Sequence, residues 1–124
     1  MNIISIKKSR EFKIILSKGK KYHSKSLIII RNKTPDEYHF NKSSGYNSKE
    51  FARIGIIASK AVGNSVIRNR CKRIIRQIFT NQDILKYFDL HNDYVIIAKK
   101  QINNIKFHEI SRDIIFCLKS LKNR

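Results

Sequence analysis

The chain has 124 residues, 41% of them hydrophobic, which suits one domain with a real core and leaves no room for a second. Lysine and arginine outnumber aspartate and glutamate by 27 to 9, and the resulting net charge of +18 implies a polyanionic partner, nucleic acid first and an anionic membrane surface second. No apolar run reaches the roughly 18 residues of a membrane span, and "MNIISIKKSREFK" lacks the apolar centre of a signal peptide, so a cytoplasmic protein is expected.

After a short basic start, "SREFKIILSKGK" reads as a helix, with Ser9 able to cap, Glu11 in the first turn and Gly19 able to terminate it. Phe12, Ile15 and Leu16 share its apolar face. The β-branched run "SLIIIR" (26–31) predicts a strand, and "TPDEY" turns the chain at its only proline. A weak strand signal follows at Tyr38–Phe40, then a polar stretch, 41–50, expected to be a mobile loop. "FARIGIIAS" (51–59) predicts a strand whose Gly55 marks a bulge or a close backbone approach. A helix is expected over 65–79 behind the turn Gly63-Asn64-Ser65, and "NQDILKYFDLHND" adds a short helical turn. The strand "DYVIIAKK" (93–100) precedes a last helix over 107–122, apolar at Ile110, Ile114, Cys117, Leu118 and Leu121. The order αβββαβα defines an α+β sandwich of helices on a small sheet, forming one domain over residues 1–124.

The stretch "KAVGNSVIRNRCKRIIRQIF" (60–79) holds Lys60, Arg68, Arg70, Lys72, Arg73 and Arg76 and no carboxylate. At 100° per residue, Ile67, Cys71, Ile74, Ile75 and Ile78 gather on one side, while the cations and Asn69 occupy the flank and far side. A solvated helix face normally mixes both signs in i,i+4 pairs, and this one has none. The arginine fork binds phosphate bidentately and stacks on bases, and Asn69 can both donate to and accept from a base edge or 2′-hydroxyl. The glycine turn could present backbone N–H groups to a phosphate, but no Gly-x-x-x-x-Gly-Lys-Ser/Thr sequence exists, so no nucleotide pocket or other small-molecule substrate is expected.

These residues strongly resemble the signature of the bacterial ribonuclease P protein family, in which Ser-Lys-Lys-x-Gly-Asn-x-Val-x-Arg-Asn-Arg-x-Lys-Arg-x-x-Arg follows a strand. The resemblance extends to "SREFKIILSKG", "RIGIIASK" and "DYVIIAKK" and is weakest over 32–50. It implies a ribosomal protein S5 domain 2-like fold with a left-handed βαβ crossover, where physical rules alone favour the right-handed one. It also implies a protein subunit that helps a catalytic RNA remove the 5′ leader from precursor tRNA, with magnesium held mainly by the RNA. By resemblance, Lys60, Asn64, Arg68, Asn69, Arg70, Lys72, Arg73 and Arg76 contact the catalytic RNA. A cleft between the first helix and the sheet would receive the leader, lined by Phe12, Leu16, Ile30, Arg53 and Ile57. Two departures matter: Ala61 replaces the second lysine, and Leu16 and Ile30 stand where relatives often carry aromatics. For Phe12, ordinary packing beneath the helix competes with a stacking role.

The protein itself carries no catalytic constellation. Its nine carboxylates form no group suited to two-metal hydrolysis, and Asp36-Glu37 reads as turn chemistry while Asp93 reads as a cap or ion-pair partner. His23, His39, His91 and His108 lack zinc spacing, and Cys71 and Cys117 fall on apolar faces as two buried thiols. A basic ribosomal protein without processing activity fits the size and charge as well, and a peripheral membrane protein would need aromatic or leucine anchors opposite the charges on an exposed amphipathic helix.

Overall fold

The computed structural model describes residues 2–35 and 51–122. Five strands, β1 (Asn2–Ser5), β2 (Lys20–His23), β3 (Leu27–Lys33), β4 (Phe51–Ile57) and β5 (Asn92–Ala98), form one mixed sheet in the order β1-β4-β5-β3-β2. Both β1 and β5 run parallel to β4, whereas β3 is antiparallel to β5 and β2 to β3. Four helices accompany it: α1 (Ser9–Lys18), α2 (Ser65–Ile78), the single turn α3 (Gln82–Leu85) and α4 (Phe107–Lys122). A 3-10 segment, Lys100–Asn104, links β5 to α4.

Side chains alternate across each strand, and the alternation assigns the helices to faces. On one face Leu27, Ile29, Ala52, Ile54, Tyr94 and Ile96 pack with Cys71, Ile75 and Ile78 of α2 and with Ile110, Ile114, Cys117, Leu118 and Leu121 of α4. On the other, Ile30 and Val95 pack with Ile6 and with Ile15 of α1. The predicted stripe of α4 is buried at all five positions.

The order αβββαβα holds from α1 onward, but its first strand is β2, Lys20–His23, and β1 precedes the whole series. The expected strand at 38–40 and loop at 41–50 lie outside the described residues. Ser9 does not cap α1: it is the first helical residue, and Lys8 holds the cap position with no side-chain bond. Gly19 does end that helix, its N–H donating to the Ile15 carbonyl at 2.8 Å. Its backbone is extended, so space demands glycine here: a Cβ would lie 2.4 Å from the Ile30 side chain and 2.7 Å from the Ile15 oxygen. Gly55 is not a bulge, since β4 and β5 pair in unbroken register through Gly55 and Val95. The close approach at Gly55 comes from the ring of Phe12, 2.3 Å from where a Cβ would stand.

Candidate RNA-binding surfaces

The α2 surface is built from its N-cap. Gly63 adopts φ 155°, a conformation that side chains resist, and the next residue, Asn64, accepts the Ile67 N–H through Oδ1 at 3.0 Å. Asn64 therefore fixes where the helix starts. Cys71, Ile75 and Ile78 bury the inner stripe, leaving Asn69, Arg70, Arg73 and Arg76 exposed and Arg68 and Lys72 at its margins. Lys60 and Ala61 are exposed on the preceding turn. The Nε of Arg68 is enclosed and has no hydrogen-bond partner among the described residues. Ile75 and Ile78 are committed to the core and are not available as membrane anchors.

Acidic residues are used elsewhere. Arg53 engages Asp93 through two bonds, Nε to Oδ1 at 2.7 Å and Nη2 to Oδ2 at 2.6 Å, and its Nη1 pairs with Glu11 of α1. The Thr34 hydroxyl donates to the same Asp93 at 2.7 Å. Asp89 pairs with Arg31 at 3.0 Å, and Asp113 accepts from the Ser26 hydroxyl at 2.5 Å. Among the described residues none of these pairs involves α2, so its cations reach solvent uncompensated. Also among them, no group of three or more His, Cys, Asp and Glu could hold a metal ion.

The α1 face gathers the expected cleft residues unequally. Phe12, Leu16 and Ile57 are half-buried around the packed centre of this face and present apolar surface. Ile30 is fully buried, so it supports the cleft from beneath. Arg53 points to the same face but is only 4% exposed and locked in its ion pairs. Burial opposes its charge, yet Asp93 and then Glu11 outweigh that and hold it above the ordinary arginine value. Ile28 and Ile97 join the open apolar surface, a role that the alternation of β3 and β5 about Ile30 and Val95 could have revealed. The two surfaces meet at the β1 edge, where Arg76 of α2 lines a groove of about 290 Å³ together with Phe12, Gly55 and Phe79.

A basic α+β domain with an uncompensated arginine helix and an apolar cleft defines an RNA-binding protein. The ribonuclease P family profile matches residues 2–122. The chain is 34% identical to the ribonuclease P protein component of Listeria innocua across 92% of itself and 84% of that protein. It is also 34% identical to the corresponding component of Macrococcus caseolyticus, across 94% and 89% respectively. Its fold matches the RNase P protein of Staphylococcus aureus with a TM-score of 0.72 at 27% identity, covering 95% of this chain and 94% of that one. The RNase P protein of Thermotoga maritima shares the fold at a TM-score of 0.70 and 20% identity, covering 97% and 96%. The chain belongs to the ribonuclease P protein family. It is accordingly an RNA-partnered subunit of an endoribonuclease complex that processes the 5′ leader of tRNA, and the ribosomal reading falls away.

Proposed function

We propose that the two surfaces divide the work: α2 binds the catalytic RNA, and the α1 face receives the single-stranded leader of precursor tRNA in the cytoplasm. The observation that carries this reading is the placement of the two surfaces on opposite faces of one sheet, with uncompensated cations on one and open apolar side chains on the other. Phosphates suit the first surface and unstacked bases suit the second.

In this reading the RNA performs the cleavage and holds the magnesium. The six described carboxylates support that assignment, because four are tied to Arg53, Arg31 and Ser26 and the other two, Asp83 and Glu109, stand apart in first helical turns. The protein supplies positive charge that lets three polyanionic elements approach, which lowers the magnesium the assembly needs. Phe12 is the one aromatic offered to the leader by the cleft residues; Leu16 and Ile57 contribute apolar contact without stacking.

The test is reconstitution with the organism's ribonuclease P RNA and a precursor tRNA at low magnesium. Accurate 5′ maturation that depends on the protein is expected, with none from the protein alone. Cleavage unchanged by the protein, and no binding to either RNA, would overturn the reading.

A further inference from the structure

A second groove, of about 440 Å³, lies between the first half of α2 and the junction of the 3-10 segment with α4. Ile67 and Ile74 form its apolar side, Phe107 and Asn103 stand opposite, and Arg70 and Lys106 belong to its lining. We propose that this groove holds one unstacked base of the RNA that binds α2, a reading that rests on α2 being the RNA-binding helix.

Four features select that occupant. Phe107 is 48% exposed, and Val66 and Ile67 beside the groove are 74% and 38% exposed, an apolar patch that calls for a cover. The volume lies in the range of roughly 300–1,000 Å³ typical of small-molecule pockets, room enough for one base. Arg70 and Lys106 are exposed cations, and no carboxylate lines the groove, so its charge complements a nucleotide's phosphate and repels no part of it. Asn103 donates through Nδ2 to the Val62 carbonyl at 2.7 Å, which anchors the amide and leaves Oδ1 without a donor among the described residues. An anchored acceptor beside an aromatic ring and a guanidinium is the chemistry that captures a base with an exocyclic amine. An apolar peptide would also cover the isoleucines but would leave both cations without anionic partners.

The test compares wild type, Phe107→Ala, Phe107→Tyr and Asn103→Asp for binding to the ribonuclease P RNA, with Arg73→Ala as a reference on the same helix but outside the groove. Phe107→Ala is expected to lower affinity roughly 5- to 100-fold, the range of one lost stacking contact, with the salt dependence unchanged. Phe107→Tyr restores binding, Asn103→Asp weakens it, and protection of one RNA base from chemical modification disappears in Phe107→Ala alone. Because Phe107 is half-exposed, its variants keep the wild-type circular dichroism and melting temperature. Wild-type affinity in Phe107→Ala while Arg73→Ala binds weakly overturns the base pocket and leaves the RNA-binding helix standing. Wild-type affinity in both overturns the helix assignment itself. Loss confined to precursor tRNA, or a dimer seen by sedimentation that Phe107→Ala dissolves, assigns the groove to another occupant and likewise overturns the proposal.

Discussion

Arg53 is buried on the α1 face and held there by two carboxylates, Glu11 and Asp93. Its position before "IGIIAS" marks it as a cation on a sheet strand, and the cleft then looks like its natural outlet. The structure instead pairs it with Glu11 and with Asp93, itself braced by Thr34, from three separate parts of the chain that only the finished topology unites. Replacing Arg53 with Met removes the guanidinium from two buried or half-buried carboxylates, so Arg53→Met is expected to cost about 3–5 kcal/mol in urea unfolding. A loss below about 1 kcal/mol would mean that the network is strained rather than stabilising. The buried thiols act on a different axis, pH. Burial pushes Cys117 up from 9.0 to about 11 and Tyr94 up from 10.0 to about 12. Above pH 9 the unfolded chain releases protons that the folded chain retains, so stability is full below that pH and falls as pH rises. Melting temperatures are therefore expected to drop between pH 9 and 11, by roughly 2–3 kcal/mol in stability for Cys117. In Cys117→Ala the slope over that window flattens; an unchanged slope would show that Cys117 does not couple to folding.

Among the elements, α2 was the most legible, because both its dry and wet sides are written in one continuous stretch. Isoleucine spacing sets the buried stripe, and the absence of any acid sets the charge of the outer face. The central strands β3, β4 and β5 were legible for a similar reason, as β-branched runs buried on both faces. The edge strands were not: β2 reads Lys-Lys-Tyr-His and is largely exposed, and β1 is only four residues long. Such strands owe their existence to a neighbour's unpaired backbone groups, and lysine on an edge resists further pairing, so their own composition carries little strand signal. Because α2 presents its charge without internal partners, each arginine should act on RNA independently. Arg68→Ala and Arg73→Ala are expected to weaken RNA binding and each lower the salt slope by about 0.7–0.9. Lysine at either position should restore the slope while leaving affinity reduced wherever the guanidinium fork is used. A slope unaffected by both alanines would place the phosphate contacts elsewhere.

At the scale of the whole molecule, the sheet separates the cationic surface of α2 from the apolar surface beside α1, and that geometry predicts which perturbations combine simply. Phe12 lies on the α1 face and Arg73 on the outer side of α2, with the sheet and its core between them. Residues separated in this way and sharing no partners normally contribute additively within about 0.3–0.5 kcal/mol. Phe12→Ala should therefore weaken precursor relative to mature tRNA, Arg73→Ala should weaken assembly with the catalytic RNA, and the double variant should show the sum of the two. Arg76 gives the contrasting case. It lies on α2 yet lines the same groove as Phe12 at the β1 edge, so a strand of RNA leaving the cleft would meet both residues. Phe12→Ala with Arg76→Ala should consequently depart from additivity by 0.5 kcal/mol or more in precursor binding. The measurement is a pair of double-mutant cycles on precursor and mature tRNA with the reconstituted enzyme. Coupling in the Phe12–Arg73 cycle as large as in the Phe12–Arg76 cycle would mean that the two faces do not act as separate sites, and the sheet would lose its role as a partition.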